Sequence, residues 1–285
     1  MRTVTTVAEL RACVEDWRSK GDHVALVPTM GALHEGHMRL VAEGRGLAPC
    51  TVASLFVNPR QFAADADLAT YPRNLEADQA KLAKAGVDLL YAPDLDQVYP
   101  NGFATTVSVT GPAEELEGSS RPGFFDGVAT VVTKLFTQAQ PDVAVFGEKD
   151  YQQLLVVRRL VRDLDLRPRV VAVPTVRESD GLACSSRNAY LDAGQRLIAP
   201  RLYTVLSRTA EHLPSDDDPE LLLAEAEAEL KTSFDKVDYL AWRDAETFGA
   251  AMTPGRAGRL LAAVALGRTR LIDNVAVAPL SEKVS

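Results

Sequence analysis

The chain has 285 residues, of which 46% are apolar and 25% charged, and its formal net charge is −8. This length is enough for one large domain or two of ordinary size, each with a buried core. Residues 1–176 and residues 177–285 each have more acidic than basic side chains, and neither part contains a cluster of Lys and Arg. The composition therefore argues against a nucleic-acid partner and against an anionic membrane surface.

The apolar segments also argue against insertion into a membrane and against secretion. The uncharged stretch 46–59 is too short, and too interrupted by proline, to span a bilayer. Acidic residues occupy the N-terminal segment, where a secretory signal needs an apolar run. Cys13, Cys50 and Cys184 form no C-x-x-C pair, which predicts reduced thiols in a cytoplasmic protein.

Short apolar runs alternate with segments of helical period through the first 176 residues. The runs predict strands and the periodic segments predict helices. In chain order they are strand 23–28, helix 36–47, strand 51–57, helix 75–85, strand 87–92, a Thr/Val-rich run at 105–110, helix 128–139, strand 141–146, helix 151–164 and strand 169–173. This alternation predicts an α/β fold with a doubly wound parallel sheet of Rossmann type.

The pattern changes after Arg177. It then predicts a helix (193–213), an acidic N-cap cluster (215–219), a second helix (220–234) and two antiparallel strands (258–266 and 269–277) joined by Gly267-Arg268. We therefore expect two domains, 1–176 with the parallel sheet and 177–285 as a smaller α+β domain.

The segment Pro28–His37 (PTMGALHEGH) joins the first predicted strand to its helix. Ligands bind at the carboxyl ends of strands in such sheets, and a helix N-terminus offers N–H groups to an anion. His34 and His37 are three residues apart, so we expect both imidazoles on one side of the first turn. The spacing differs from the H-E-x-x-H of zinc proteases, and a pair of structural histidines is the alternative. The G-x-x-x-x-G-K-[ST] and G-x-G-x-x-G motifs are absent, so a nucleotide site here must be of another kind.

Three further segments carry candidate binding groups. FVNPRQF (56–62) places Asn58 and Gln61 after the second strand, where amides suit hydroxyl and carboxylate groups. In FGEKDYQQL (146–154), Lys149 offers a charge for phosphate, and Gln153 lies close enough to share a ligand with Gln61. In 173–191, two hydroxyls and a guanidinium are consecutive and suit a phosphate clamp: Ser185, Ser186 and Arg187. The alternatives are an ordinary turn, a solvated charged loop and a helix cap, respectively.

These motifs carry two resemblances. A strand followed by H-x-G-H resembles the HIGH-type nucleotidyl-transfer folds, which include class I aminoacyl-tRNA synthetases and small adenylyltransferases. The four segments together, in this order, resemble the pantoate–β-alanine ligase (pantothenate synthetase) family. The likeness continues through 71–73 (YPR), 114–118 (EELEG) with Arg121-Pro122, and 267–274 (GRTRLIDN), so it covers nearly the whole chain.

The resemblance implies a two-step ligase. In this family the pantoate carboxylate attacks the α-phosphate of ATP, and the β-alanine amine then displaces AMP from pantoyl adenylate. It implies that His37, His34 and Lys149 act in catalysis and that Gln61 and Gln153 bind pantoate and β-alanine. The residues it implies for ATP are Met30, Gly31, Ala32, Leu33, His34, Glu35, Gly36, His37, Gly147, Glu148, Lys149, Asp150, Val176, Cys184, Ser185, Ser186 and Arg187.

The resemblance also implies the setting of the reaction. The N-terminal domain would bind ATP and pantoate, the C-terminal domain would act as a lid, and the enzyme would be a cytoplasmic homodimer. Mg²⁺ would bind mainly through the ATP phosphates, and no residue is assigned as a metal ligand. Two positions differ from the family pattern: Cys184 replaces a common Met, and Ala77-Asp78 stands where some members have two acidic residues.

Two other functions compete with this interpretation. H-x-G-H alone permits a nucleotidyltransferase whose stable product keeps the nucleotide group. A nucleotide-sensing module without turnover is the third hypothesis, although a sensor has no need for paired histidines where pyrophosphate would leave.

Overall fold

Six parallel strands form the sheet of the first of two units, in the order β1-β4-β3-β2-β5-β6. The computed structural model describes residues 1–62, 68–69, 71–215, 218–250 and 255–279. Strands β2 and β3 are buried along almost their whole length, which explains why their sequences are continuous apolar runs. The six strands are β1 (Arg2–Val4), β2 (Val24–Thr29), β3 (Cys50–Leu55), β4 (Leu89–Tyr91), β5 (Val143–Gly147) and β6 (Arg169–Val173).

The strand order reverses beside β2. The chain passes from β2 through α2 (Glu35–Leu47) to β3 on one side, and β5 pairs with the other side of β2. Strands β2 and β3 pair over all six residues, whereas β2 and β5 pair only at Ala25 and Leu26. Pairing between β2 and β5 therefore ends before their carboxyl ends, as at the ligand-binding crevice of open α/β sheets. The predicted doubly wound parallel sheet is confirmed.

Besides α2 and two four-residue helices, Leu95–Val98 and Glu117–Ser120, the described part of this unit has four longer helices, three of which match the periodicity closely. The periodicity does not predict α1, although Thr6 and Glu9 form the capping box that marks a helix start. The Thr/Val-rich run forms no strand, and the N–H of Val107 instead donates to Oγ1 of Thr130 at 3.0 Å. No helix in the described ranges is long and apolar enough to cross a membrane. These four helices are α1 (Val7–Ser19), α3 (Leu75–Lys84), α4 (Phe124–Ala139) and α5 (Tyr151–Asp163).

The second unit comprises Lys149–Tyr151 and the chain from Thr175 onward. Its antiparallel sheet has the order β7 (Lys236–Asp244), β8 (Gly258–Leu266), β9 (Thr269–Val277), and its helices are α6 (Ala193–Ile198), α7 (Arg201–His212) and α8 (Pro219–Ser233). Leu206 of α7 and Leu230 of α8 belong to the same buried cluster as Leu260 and Val264 of β8. The predicted small α+β fold is confirmed, with β8 and β9 at the predicted bounds.

Three features of this unit go beyond the elements predicted from the sequence or differ from them. The single helix expected over 193–213 is wrong, because Pro200 has no N–H to continue the α-helical hydrogen bonds and α7 starts after it. Asp218 is the N-cap of α8 and accepts from the N–H of Leu221 at 3.0 Å, whereas Asp216 and Asp217 lie outside the described residues. The third strand, β7, is not among the predicted elements. Its only sequence signal is a partial alternation of apolar and polar residues in KVDYLAWRD.

Asp142 forms a cluster of hydrogen bonds and ion pairs at the amino-terminal edge of the first sheet. Its Oδ2 accepts from the N–H of Val24 at 2.8 Å and lies 3.5 Å from the guanidinium of Arg18 and 3.6 Å from Nδ1 of His23. Its Oδ1 accepts from Nε of Arg167 at 2.9 Å. Burial by itself would raise the pKa of Asp142, but the hydrogen bonds and the two guanidinium charges outweigh burial and hold the pKa below its ordinary value.

We expect Asp142→Asn to lower the melting temperature at neutral pH by several degrees, because charge-assisted hydrogen bonds contribute about 1.5–3 kcal/mol. Since the folded pKa is depressed, this contribution is fully present above the ordinary pKa of about 3.9 and is lost as pH falls through the lower folded value. Calorimetry across this range should show the variant and the wild type converging in acid. Asp16→Asn, which removes an exposed ion pair with Lys20, is the control. A gap that stays constant down to about pH 2 would contradict the assignment.

Candidate active site

The loop after β2, 30–33, is held by a buried carboxylate from α3. Oδ2 of Asp78 accepts from the N–H of Ala32 at 2.8 Å, and Oδ1 accepts from the N–H of Leu33 at 2.9 Å. Gly31 and Ala32 have positive φ angles of 86° and 51°, and a Cβ at Gly31 would lie 3.1 Å from Oδ2 of Asp78. Glycine is therefore required at 31 by both backbone conformation and space.

This contact defines what Asp78 does in the fold. Asp78 is only 2% exposed, and both of its oxygens accept main-chain N–H groups. Each oxygen of the carboxylate thus holds one N–H group of the loop. The pairing also occupies the N–H groups of Ala32 and Leu33, so these two groups are already bonded within the protein. No sequence signal indicates this anchor.

The two histidines cap the N-terminus of α2. Nδ1 of His34 accepts from the N–H of Gly36 at 3.1 Å, and Nδ1 of His37 accepts from the N–H of His34 at 3.3 Å. The ring centroids lie 4.1 Å apart. An Nδ1 that accepts carries no proton, so each neutral ring holds its proton on Nε2. The main chain thus fixes both the orientation and the tautomer of the pair.

The geometry bears on the alternative that the two histidines are structural residues. Both residues do have a structural role, since they form a capping box, but this role uses only Nδ1 of each ring. In the part of the chain that the structure describes, no group of three or more His, Cys, Asp or Glu is arranged to hold a metal ion.

The amide of Gln61 is oriented by Asn58. Nδ2 of Asn58 donates to the carbonyl of Gly127 at 3.0 Å and to Oε1 of Gln61 at 2.8 Å. Oδ1 of Asn58 accepts from the hydroxyl of Tyr99 at 2.9 Å, and burial raises the pKa of Tyr99 to about 12, so this hydroxyl stays protonated. Because a carbonyl only accepts, the orientation of Asn58 is fixed, and it directs the Nε2 donors of Gln61 away from Asn58.

Close packing of α4 makes this arrangement possible. A Cβ at Gly127 would lie 2.2 Å from the carbonyl oxygen of Arg60, so only glycine lets the helix approach the Pro59–Gln61 turn. Asn58 is 1% exposed and Gln61 is 8% exposed. The ordinary turn considered at Asn58-Pro59 is part of the short helical turn Pro59–Gln61, and the side chains of Asn58 and Gln61 are buried beside it.

Of the two glutamines at the start of α5, one has a structural contact and the other is the predicted substrate ligand. Nε2 of Gln152 donates to the carbonyls of Pro112 and Glu115, and its Oε1 accepts from the N–H of Glu117. Gln153 is half-buried. Gln61 and Gln153 follow β3 and β5, which flank β2, so about 10 Å separates the two strand ends.

The segment after β5 is divided between the two units. Gly147 and Glu148 belong to the first unit, whereas Lys149 and Asp150 belong to the second. The carbonyl oxygen of Lys149 accepts from Nδ2 of Asn274 at 2.8 Å. The backbone of Lys149 is therefore bonded to β9.

In the second unit, a short hairpin brings Val176 to Cys184. The N–H of Cys184 donates to the carbonyl of Val176 at 2.9 Å, and Arg177 and Ala183 form a bridge beside it. Ser185 caps the short helical turn Ser186–Tyr190 by accepting from the N–H of Arg187 at 3.2 Å. The cap considered from sequence is present at Ser185, and Val176 lies next to the Cys184–Arg187 segment.

A profile of the family described as Pantoate-beta-alanine ligase matches residues 2–276. The chain belongs to this family. The Pantothenate synthetase of Paramagnetospirillum magneticum is 55% identical over 277 residues, which are 97% of this chain and 98% of that protein. That of Rhodospirillum rubrum is 54% identical, over 95% of this chain and 97% of that protein. The resemblance carried by the four motifs is confirmed, and the chain is a ligase of this family.

Solved structures of the family show the same fold. Pantothenate synthetase from Thermus thermophilus is 50% identical, with a TM-score of 0.90 over 98% of this chain and 100% of that chain. Pantoate-beta-alanine ligase from Francisella tularensis, in complex with Beta-gamma ATP and Beta-alanine, is 32% identical, with a TM-score of 0.81 over 96% of this chain and 97% of that chain. The family membership therefore extends over both units of the chain.

We expect Asp78→Ala to destabilise the fold by about 2–4 kcal/mol, because two buried N–H groups lose charged acceptors. Hydrogen exchange is the sharper measurement: the amides of Ala32 and Leu33 should be protected in the wild type and exchange rapidly in the variant. Asp88→Ala is a matched control, since Asp88 accepts from the N–H of Thr51 at 2.8 Å away from the loop. Unchanged protection of the two amides in Asp78→Ala would contradict the anchor.

Proposed function

We propose that the protein joins (R)-pantoate to β-alanine in an ATP-dependent reaction that passes through pantoyl adenylate and yields pantothenate, AMP and pyrophosphate. Family membership supports the overall ligation. The observation that carries the adenylate step is the histidine pair at the N-terminus of α2, beside the reversal of strand order. Its Nε2 donors suit the phosphate oxygens on which charge develops when pyrophosphate leaves.

Each of the two proposed steps, adenylation and amide formation, forms one bond and breaks another. A carboxylate oxygen of pantoate attacks the α-phosphorus of ATP, and the bond from this phosphorus to the α,β-bridging oxygen breaks, so pyrophosphate leaves with the electron pair. The amine nitrogen of β-alanine then attacks the acyl carbon, and the bond to the AMP oxygen breaks. The amine loses a proton as the amide forms.

The capping hydrogen bond of His37 limits the way in which this side chain can assist the departure of pyrophosphate. A neutral imidazole whose Nδ1 accepts a hydrogen bond would become an anion if it gave up the proton on Nε2, which is not feasible near neutral pH. A proton-donating imidazolium would need a proton on Nδ1, which would break the bond from the N–H of His34. We therefore propose that His37 and His34 act as hydrogen-bond donors to phosphate while the cap is intact.

ATP is proposed to bind a set of loop residues that follow the strands and open the helices. These are Met30–His37, Gly147, Glu148, Lys149, Asp150, Val176 and Cys184–Arg187. The ammonium of Lys149 and the guanidinium of Arg187 neutralise phosphate charge, and the hydroxyls of Ser185 and Ser186 add donors.

Pantoate is proposed to bind Gln61 and Gln153, with β-alanine also near Gln61. The orientation imposed by Asn58 supports this role, because it directs amide donors rather than the amide oxygen of Gln61 toward a ligand. Donors suit the carboxylate and hydroxyl groups of pantoate. Mg²⁺ is proposed to be held through the ATP phosphates, where it neutralises charge. The enzyme is proposed to be a cytoplasmic homodimer.

The assay that tests this function measures AMP, pyrophosphate and pantothenate formed from ATP, pantoate and β-alanine. We expect pyrophosphate release to require pantoate, and AMP release to require β-alanine as well. His37→Ala should keep the fold and slow adenylation by roughly 10²–10³-fold, the effect of losing one preorganised hydrogen-bond donor, and His212→Ala, an exposed histidine on α7, is its control. A product that keeps the nucleotide would favour the nucleotidyltransferase hypothesis. ATP binding without turnover would favour the sensor.

Gln61→Glu tests the binding of pantoate. The side-chain oxygen can still accept from Asn58, but a carboxylate oxygen replaces the outward donors and repels the pantoate carboxylate. We expect KM for pantoate to rise by roughly 10–100-fold, the effect of losing a hydrogen bond to a charged group, with a smaller change in KM for ATP. Gln79→Glu adds the same charge at a half-buried site on α3 and should leave both constants unchanged. An unchanged KM for pantoate in Gln61→Glu would remove this residue from the substrate site.

A further inference from the structure

We propose that Asn274 is a positioning residue that sets the place of Lys149 by holding its main chain. Asn274 lies on β9 and is 3% exposed. Its Nδ2 donates to the carbonyl oxygen of Lys149 at 2.8 Å, and its Oδ1 accepts from Nε of Arg259 at 2.6 Å. The inference rests on the proposed role of Lys149 in binding ATP phosphate.

The orientation of the Asn274 amide has one solution. The guanidinium of Arg259 can only donate, and the carbonyl of Lys149 can only accept, so the oxygen of Asn274 must face Arg259 and its nitrogen must face Lys149. Arg259 therefore determines that Asn274 presents a donor to the segment that carries Lys149.

The same guanidinium holds the other end of this segment. The guanidinium carbon of Arg259 lies 4.2 Å from the centroid of the Tyr151 ring, and the hydroxyl of Tyr151 donates to the carbonyl of Ala245 at 2.7 Å. Lys149 is thus bonded to β9, and Tyr151 contacts Arg259 of β8 and the residue that follows β7. This explains why 149–151 belongs to the second unit although the chain on either side of it belongs to the first.

The neighbour of Asn274 holds the other proposed phosphate-binding segment. Asp273 forms a two-point ion pair with Arg177, at 2.6 and 2.9 Å. Arg177 adjoins Val176 and begins the hairpin that leads to Cys184. Two consecutive residues of β9 therefore connect Lys149 and the Cys184–Arg187 segment to one strand, which fixes the spacing of the proposed phosphate ligands.

Stability alone does not account for these residues. Asparagine is disfavoured inside strands, and burying the charge of Arg259, which is 8% exposed, carries a desolvation penalty. A requirement to hold the carbonyl of Lys149 in one place explains why polar groups occupy this part of β8 and β9. We therefore expect substitutions at 274 to act on ATP through Lys149.

A double-mutant cycle tests this inference. Asn274→Asp keeps the size of the side chain and an acceptor for Arg259 but replaces the donor to Lys149 with an oxygen. The wild type, Asn274→Asp, Lys149→Ala and the double variant are compared by calorimetric affinity for ATP and by the rate of pantoate-dependent pyrophosphate release. Asn274→Ala provides a second cycle if the Asp variant does not fold. Asp238→Asn, which removes ion pairs with Lys236 and Arg270 in the same sheet, is the stability control.

We expect Asn274→Asp to reduce the adenylation rate by roughly 10–100-fold when Lys149 is present, the effect of a displacement of about 1 Å. In the Lys149→Ala background the same change should have less than about a threefold effect, because the side chain that it displaces is gone. Asp238→Asn should lower the melting temperature without changing the rate.

Equal effects of Asn274→Asp in both backgrounds, or no effect in either, would overturn the inference. Wild-type ATP affinity in Lys149→Ala would overturn it as well, by removing the role of Lys149. If the wild type made no pantothenate, the proposed function would fail, yet the cycle measured on ATP affinity would still decide whether Asn274 acts through Lys149.

Discussion

The reversal of strand order at β2 is the constraint on which the candidate site depends. It places the segments after β2, β3 and β5 at one edge of the sheet, although they are far apart in the chain. Because β2 and β5 stop pairing after Leu26 and Ala144, their carboxyl ends are not tied to each other. The backbone there needs other partners, and side chains from the surrounding elements provide them.

Buried polar side chains supply those partners in both units. Asp78 holds the loop after β2, Asn58 and Gln152 hold the segments beside Gln61 and α5, and Asn274 holds Lys149. An apolar side chain of similar volume would leave main-chain N–H or C=O groups unpaired, at about 1–3 kcal/mol for each group. These four residues therefore fix loop geometry at a desolvation cost that their own hydrogen bonds offset.

The sequence predicts the elements whose signals are local and leaves out those that depend on distant contacts. The alternation of apolar runs predicts the doubly wound sheet, and Gly267-Arg268 predicts the hairpin of β8 and β9, because period and turn chemistry are short-range properties. Asp78 anchors a loop more than forty residues earlier in the chain, and Asn274 bonds a residue 125 positions away. A local sequence pattern therefore predicts neither contact. The helix break at Pro200 had a local signal, since proline interrupts the hydrogen bonds of any helix interior.

The histidine pair shows why a capping role and a chemical role do not exclude each other. A capping box with Ser and Glu would satisfy the N-terminus of α2 equally well, but it would place no N–H donor at this edge of the sheet. Imidazole is the side chain that accepts at one ring nitrogen while it donates at the other. Using Nδ1 for the main chain locks the tautomer, so the donor on Nε2 is set before any ligand arrives. Such preorganisation avoids reorientation when charge develops on a phosphate oxygen, which is the condition under which a neutral donor contributes most.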